Sequence, residues 1–380
     1  LRILLDGVLV GHHRIPQLSG VNAIFSSMKV VAGLIIALAG RPIQVLVLAY
    51  ASLAYLQALA LAWLCVRGTL PLAHLSVGWH RSTASKLFKL GLLSTLGNST
   101  GYLLLYVDRW LLGVLLPIEV VGLYSVTFDI ASKQWYLANS ISQAYFPVFS
   151  QYSKVRASLT RNYVDALKLS SLLGTGAGFA LAVFQRPLLA SWIDPHFAAS
   201  AAVMGAVLSF ALMVACYTNI PLTALLTACE RPDVIAWLYT AGIVVHVALS
   251  LALIPVLGGV AVAAGFAAGY LLVLGGASVW LAKRSLDVTF ACSLRKCFAG
   301  PWAAAMLTII PVGVWLGPRL SNLPSVLTAM LALYGTYLGA AWQLTYSPGE
   351  RSALWGKIAA TPLAVRLRTR NVRSVDERAT

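Results

Sequence analysis

Three charged residues lie well inside long apolar stretches, away from their ends, and are the first candidates for chemistry. Lys29 is near the middle of one stretch, and Asp129 and Lys133 are one helical turn apart in another. Side chains at that spacing share one face of a helix, so Asp129 and Lys133 can pair, with either a structural or a transport role. A charge in an apolar environment is costly unless it meets a partner or water. We therefore expect all three to face protein or a water-filled cavity.

Uncharged polar residues strengthen this expectation for two of the apolar stretches. The residues are Asn139, Ser140, Ser142 and Gln143 in the stretch 119–147, and Asn98, Ser99 and Thr100 in the stretch 86–107. A helix this polar would be unstable against lipid, so both stretches are predicted to line an aqueous lumen. His246 lies alone in a third stretch, where a core position is a commoner explanation than proton transfer.

The composition indicates which solvent surrounds the chain. Apolar residues make up 59% of it and charged residues 11%, and the mean hydropathy is +0.80. A soluble domain is roughly 25% charged, so this chain has too few charges to cover a water-facing surface. The net charge of +16 would suggest nucleic acid only on a soluble fold with a basic patch, so no nucleic-acid partner is expected. The composition predicts an integral membrane protein.

Ten stretches are long and apolar enough to cross a bilayer, which takes about 20 residues. They are 18–39, 43–66, 86–107, 119–147, 165–186, 199–228, 234–255, 258–282, 299–317 and 324–346. Strands are a poor alternative, because the stretches are long and show no sustained alternation. We predict an all-α membrane protein of about ten transmembrane helices. The stripe of Gly174, Gly176 and Gly178 predicts close helix packing.

The basic residues between these stretches predict the orientation. With residues 1–17 in the cytoplasm, most of the 28 Lys and Arg residues fall in cytoplasmic regions. The outer loops then contain only Arg41, Arg109, Arg186 and Arg319. Cytoplasmic loops of membrane proteins carry such an excess of basic residues. The first loop and the C-terminal tail are therefore predicted to be cytoplasmic, and the short loops place any function within the membrane.

Catalysis and metal binding have little support in the sequence. Cys65, Cys216 and Cys229 lie in or beside apolar stretches, and Cys292 and Cys297 lack the spacing of a metal-binding pair. The outer loops offer Asp108, Glu119 and Asp194 without a paired-carboxylate spacing. We predict no enzyme activity, no metal and no cofactor.

The stretch 86–150 resembles a known family. It contains an Asp-Arg pair, Leu-Leu-Gly, an acidic residue, Val-Gly-Leu-Tyr-Ser and a polar helix ending in Phe-Pro-Val. The matching residues are Asp108, Arg109, Leu112, Gly113, Glu119, Gly122, Leu123, Tyr124, Phe146 and Pro147. This pattern resembles the bacterial oligosaccharide flippases of polysaccharide biosynthesis, in the superfamily that includes the MATE multidrug exporters. We interpret Asp108, Arg109, Gly113, Gly122, Tyr124 and Pro147 as a structural motif, in which Asp108 and Arg109 fix the outer turn.

The resemblance implies two six-helix lobes around a central cavity, often with two added C-terminal helices. In that register, residues 1–66 are a remnant of the first lobe, comprising the end of helix four and helices five and six. Residues 67–85 form the cytoplasmic inter-lobe loop, 86–282 the complete second lobe, 299–346 the two added helices, and 347–380 a basic cytoplasmic tail. The first three helices and most of the fourth are then expected to be missing from this chain.

The resemblance also implies a function. An undecaprenyl-diphosphate-linked oligosaccharide, such as an O-antigen or exopolysaccharide repeat unit, would be flipped from the inner to the outer leaflet of the bacterial inner membrane by alternating access. The expected lumen residues are Lys29, Lys133, Asp129, Asn98, Asn139 and Gln143. The expected partners are the lipid-linked oligosaccharide, membrane lipid and other polysaccharide-assembly membrane proteins. Three alternatives stay open: a MATE-type antiporter, a membrane polymerase or ligase, and a scaffold without transport activity.

Overall fold

The computed structural model describes residues 2–11, 14–68 and 81–352, and every regular element in these ranges is helical. The α-helices are α1 (Arg2–Gly11), α2 (Ile15–Leu38), α3 (Ile43–Gly68), α4 (Arg81–Leu115), α5 (Ile118–Ser132), α6 (Trp135–Tyr152), α7 (Arg156–Trp192), α8 (Pro195–Ala228), α9 (Pro232–Leu257), α10 (Gly259–Ala268), α11 (Gly276–Leu286), α12 (Phe290–Ser293), α13 (Ala299–Leu316) and α14 (Leu323–Thr345). Two π-helical segments, Gly269–Gly275 and Leu294–Phe298, join α10 to α11 and α12 to α13. The predicted all-α fold is confirmed for the described ranges.

The chain divides into two compact units, Leu1–Ser85 and Lys86–Thr380, called the first and second unit below. In the first unit, α2 and α3 form a helical pair joined by a turn at Gly40, whose φ of +59° suits glycine. A small core of Leu9, Leu18, Leu61 and Cys65 packs α1 against this pair. Most other apolar side chains of α2 and α3 are exposed, which suits helices that lie in lipid.

The second unit is built around α7 and α8, which form its most extensive helix–helix interface. Helices α5, α6, α10, α13 and α14 pack around this central pair. A side chain at Gly176 would overlap the ring of Tyr337, and one at Gly178 would overlap Met213. The glycine stripe therefore serves close helix packing, as predicted.

Eight helical spans in the described residues are long and apolar enough to cross a bilayer. They are Pro16–Leu38, Ile43–Arg67, Arg156–Trp192, Pro195–Ala228, Pro232–Leu257, Gly259–Leu286, Phe290–Arg319 and Leu323–Thr345. Two of the ten predicted spans, 86–107 and 119–147, are not among them. The first is part of the long helix α4, whose polar step lowers its hydropathy.

The predicted span 119–147 is interrupted in the structure. Helix α5 ends at Ser132 and α6 begins at Trp135. The intervening Gln134 is buried, and its Nε2 donates a hydrogen bond to the backbone oxygen of Ser209 in α8, at 2.9 Å. The Gln134 backbone oxygen accepts a weak contact from Cys216 Sγ at 3.8 Å. The break is therefore tied to the central helix of the second unit.

The predicted core position of His246 is confirmed in the second unit, although neither ring nitrogen has a hydrogen-bond partner among the described residues. His246 is fully buried and packs edge-on against Phe266, with ring centroids 5.7 Å apart. Nearby, Gly269 approaches the backbone of Gly242 so closely that a side chain there would collide with it. Helices α9 and α10 therefore meet through small residues around this histidine.

Lys168 connects α7 to the segment that follows α14. Its side chain is 8% exposed, and Nζ donates to Glu350 Oε1 at 2.7 Å. Glu350 Oε2 accepts hydrogen bonds from the backbone nitrogen of Ser347 at 3.0 Å and from its hydroxyl at 3.2 Å. The Lys168 ammonium group, followed by the Ser347 backbone, lowers the pKa of Glu350. Most of the predicted inter-lobe loop (69–80) and of the predicted tail (353–380) lies outside the described residues.

The lowered pKa of Glu350 predicts a pH-dependent contribution to stability. A depressed folded-state pKa stabilises the fold at neutral pH, and this stabilisation is lost as the pH falls through that pKa. At neutral pH, E350Q should lower the thermal unfolding midpoint by about 1–3 °C, a small change because the carboxylate is partly screened by solvent. The wild-type and E350Q midpoints should converge below about pH 4, under the ordinary glutamate pKa. Tryptophan fluorescence in detergent micelles measures the midpoints at each pH. The control is E119Q, at an exposed glutamate of α5, which should have the wild-type midpoint at both pH values.

Candidate functional site

A buried hydrogen bond joins α4 to α5. Asp108 of α4 and Tyr124 of α5 are both fully buried, and the Tyr124 hydroxyl donates to Asp108 Oδ2. The other carboxylate oxygen, Oδ1, accepts from the backbone nitrogen of Arg109 at 2.7 Å. A buried carboxylate without donors would be strongly destabilising, so these contacts stabilise the helix pair.

The expected outer turn at Asp108 and Arg109 is wrong. Helix α4 continues through both residues to Leu115, and the turn to α5 lies at Leu116 and Pro117. The two residues are thus within a helix, where consecutive side chains point in different directions. Asp108 faces the core, whereas Arg109 is partly exposed.

Arg109 is held by aromatic rings and by a carboxylate. Its Nη2 donates to Asp129 Oδ1 at 3.1 Å, and its Nε donates to Ser125 Oγ at 3.4 Å. The guanidinium lies 4.8 Å from the ring centroid of Phe128 and 5.1 Å from that of Tyr106. Such stacking fixes the plane of the guanidinium.

The predicted pairing of Asp129 with Lys133 is wrong. Among the described contacts, Asp129 forms its ion pair with Arg109 of the neighbouring helix. The side chain of Arg109 is 21% exposed and that of Asp129 is 67% exposed, so the pair lies at the surface of the unit. Lys133 follows the last residue of α5 and is exposed. Asp129, one helical turn before Lys133, is therefore paired with Arg109 of α4 instead.

Polar side chains line the exposed sides of α4, α5 and α6, and we call them together the α4–α6 polar face. It consists of Ser99, Tyr102, Tyr106 and Arg109 on α4, Asp129 and Lys133 at the end of α5, and Tyr136, Asn139, Ser140 and Gln143 on α6. Their spacing of three or four residues places them on one side of each helix. Lys133 and Gln134 keep right-handed helical backbone angles, so the face continues from α5 into α6. The opposite sides of α5 and α6 pack on α8.

Four of the six predicted lumen residues lie along the exposed side of α5 and α6. Asp129, Lys133, Asn139 and Gln143 all belong to the α4–α6 polar face. The side chain of Asn98 lies outside the described part of the structure. Lys29 belongs to the first unit and has its own surroundings.

The remaining motif residues differ in their surroundings. Tyr124 carries the hydrogen bond to Asp108, and Pro147 lies inside α6. Gly113 and Gly122 are exposed, and a side chain at either position would meet no described atom within 4 Å. Close packing among the described residues therefore does not explain these two glycines.

In the first unit, three polar residues form a chain of hydrogen bonds between α2 and α3. Lys29 Nζ donates to Gln57 Oε1 at 3.2 Å, and Gln57 Nε2 donates to Asn22 Oδ1 at 2.7 Å. Gln57 is 1% exposed. Asn22 and Gln57 were not predicted as site residues, although amide side chains within apolar stretches are signals of the same kind as Lys29.

The α4–α6 polar face has the chemistry of a binding surface for an anionic, hydroxyl-rich molecule. Arg109 and Lys133 supply hydrogen-bond donors with positive charge, and guanidinium groups suit phosphate oxygens. The amides of Asn139 and Gln143 both donate and accept, as hydroxyl groups require. Within the described residues no three His, Cys, Asp or Glu side chains are grouped so that they could hold a metal ion.

The Asp108–Tyr124 hydrogen bond predicts a stability difference between two tyrosines. Y124F removes a donor from a fully buried carboxylate and should destabilise the fold by about 1–3 kcal/mol. The thermal unfolding midpoint in detergent measures this loss. The matched control is Y136F, at a tyrosine that is 68% exposed on α6, and it should leave the midpoint nearly unchanged. Equal midpoints for Y124F and wild type would show that the hydrogen bond does not hold α4 and α5 together.

Comparison with known proteins gives one family. No curated protein and no solved structure shows significant similarity to the chain. Residues 14–202 match a family described as polysaccharide biosynthesis protein, and this range covers α2 to α7 and the first turns of α8. It includes the Lys29 hydrogen-bond chain and the whole α4–α6 polar face. Over residues 14–202 the chain is therefore similar to the polysaccharide biosynthesis protein family.

Proposed function

We propose that this protein flips an undecaprenyl-diphosphate-linked oligosaccharide from the inner to the outer leaflet of the bacterial inner membrane by alternating access. The observation that carries the proposal is the α4–α6 polar face, an exposed surface that carries two cations. The family match over residues 14–202 supports a role in polysaccharide biosynthesis.

The charge of the headgroup is the main barrier to such transport. A diphosphate and several sugar hydroxyls lose their hydration when they enter the bilayer, at a large cost in free energy. Arg109 and Lys133 would offset the phosphate charge, and Asn139 and Gln143 would replace water around the hydroxyls. The lipid tail stays in the bilayer and needs no polar surface.

Asp129 has a distinct role in this proposal. In the absence of substrate it neutralises Arg109, with which it pairs at 3.1 Å. Both partners are partly exposed, so the pair is weak enough for a doubly charged diphosphate to replace the carboxylate. In the first unit, Lys29 keeps its positive charge, since its Nζ donates to a neutral amide.

The net charge of the α4–α6 polar face favours this function over a MATE-type antiporter. An exporter of cationic compounds needs an acidic surface, whereas this face contains Arg109 and Lys133 against the single carboxylate of Asp129. In the proposed arrangement, residues 86–282 form the second lobe, 299–346 the added helix pair, and both the first loop and the C-terminal tail face the cytoplasm. Other membrane proteins of polysaccharide assembly are the proposed partners.

The two cations of the polar face should be required for flipping. R109A and K133A should each lower the flipping rate about 10-fold or more while the fold is retained, because each removes a charged donor from the diphosphate. The measurement is flipping of a fluorescent undecaprenyl-diphosphate oligosaccharide in proteoliposomes. K154A, at an exposed lysine between α6 and α7, is the matched control and should flip at the wild-type rate. Wild-type flipping by K133A at equal protein levels would remove Lys133 from the site.

Complementation tests the function in cells. In a bacterium whose polysaccharide flippase is deleted, the wild-type protein should restore surface glycan and the R109A/K133A double variant should not. If a well-expressed, membrane-inserted protein leaves repeat units trapped on the cytoplasmic face, the substrate is a different one or the protein is a scaffold.

A further inference from the structure

Gln57 is the most deeply buried polar residue of the first unit's described part and lies against a lysine. We propose that Gln57 is a positioning residue, which orients the Lys29 ammonium group for an anionic diphosphate headgroup without cancelling its charge. This inference rests on the proposed function and assigns a role to residues that the sequence analysis did not identify.

The hydrogen bonds of Gln57 determine its orientation. Oε1 accepts from Lys29 Nζ at 3.2 Å, and Nε2 donates to Asn22 Oδ1 at 2.7 Å. A rotation of the amide by half a turn would place its NH₂ group against the ammonium group and its oxygen against the Asn22 oxygen. The contact with the ammonium group would be repulsive however Asn22 is oriented, so Lys29 keeps the acceptor end of Gln57 toward itself, and the Asn22 oxygen accepts from the remaining NH₂ group.

A neutral acceptor has a different effect on a lysine from that of a carboxylate. An ammonium group has three donors, and the hydrogen bond to Gln57 uses one of them. The positive charge of Lys29 is therefore undiminished, and its side chain is partly exposed. Arg109 is the contrasting case, because Asp129 neutralises it until substrate arrives. The Lys29 ammonium group is thus oriented before the headgroup binds, and no carboxylate has to be displaced from it.

A purely structural role is the competing explanation. Glutamine often forms hydrogen bonds between membrane helices, and Gln57 joins α2 to α3 in this way. The two explanations differ for Q57E. In a purely structural role the Lys29–Gln57 contact joins the helices and does not meet the headgroup. A glutamate keeps the shape and adds an ion pair with Lys29, so this role predicts a retained fold with normal binding. A positioning role predicts a retained fold with impaired binding, because the carboxylate cancels the charge.

The experiment measures binding of undecaprenyl diphosphate to the purified full chain in detergent, from about pH 7 to about pH 4, a range that spans the ordinary glutamate pKa. The variants are Q57E, Q57L, K29M and the K29M/Q57E double variant. Q44E and Q44L, at an exposed glutamine on the same helix α3, are the matched controls. Thermal unfolding midpoints show whether each variant folds.

We expect Q57E to bind about 10-fold more weakly than wild type at neutral pH, since a charged donor is lost to the new carboxylate. Its affinity should recover as the pH falls and the glutamate is protonated, and this pH response should be absent from K29M/Q57E. Q57L should bind more weakly at every pH, and both Gln44 variants should resemble wild type. If Q57L does not fold, the pH response of Q57E and its loss in the double variant still decide the question.

The two proposals fail in different ways. Wild-type affinity of Q57E at neutral pH, or a pH response that persists in K29M/Q57E, overturns the role of Gln57 while leaving the function intact. If K29M binds undecaprenyl diphosphate with wild-type affinity, neither Lys29 nor Gln57 belongs to the site. Absence of undecaprenyl diphosphate binding by the wild-type chain overturns the proposed function itself.

Discussion

The structure depends on one constraint, which is that a polar group in hydrocarbon must find a partner within the protein or reach water. The described helices satisfy their backbone groups internally, so the constraint acts on side chains. Asp108 meets it by burial against the hydroxyl of Tyr124. Lys133 meets it by exposure on the α4–α6 polar face. These two solutions separate the core of the second unit from the surface that we propose for substrate.

The Asp-Arg pair combines both solutions in two consecutive residues. A helix turns by about 100° from one residue to the next, so Asp108 and Arg109 point in different directions. Asp108 connects α4 to α5 inside the core, and Arg109 connects the same helices at the surface through Asp129. The pair therefore positions α4 against α5 and at the same time presents a cation whose orientation is fixed by aromatic rings.

The two units hold their cations in different chemical settings. Arg109 has a carboxylate partner, whereas Lys29 has the neutral amide of Gln57. A carboxylate competes with an anionic ligand, while an amide orients the cation without competing. The positive charge of Lys29 is therefore constant, whereas that of Arg109 becomes available only once Asp129 is replaced.

The sequence by itself determined the class of the protein and the positions of its polar residues within apolar helices, because the cost of a charge in hydrocarbon depends on the residue and its immediate neighbours. It therefore identified Lys29, Asp129 and Lys133. Only the tertiary structure decided their partners. Asp129 pairs with Arg109, 20 positions away, rather than with Lys133, because α4 and α5 pack side by side. The break after Ser132 likewise depends on Ser209, 75 positions from Gln134. Such contacts follow from how helices pack, which local hydropathy does not encode.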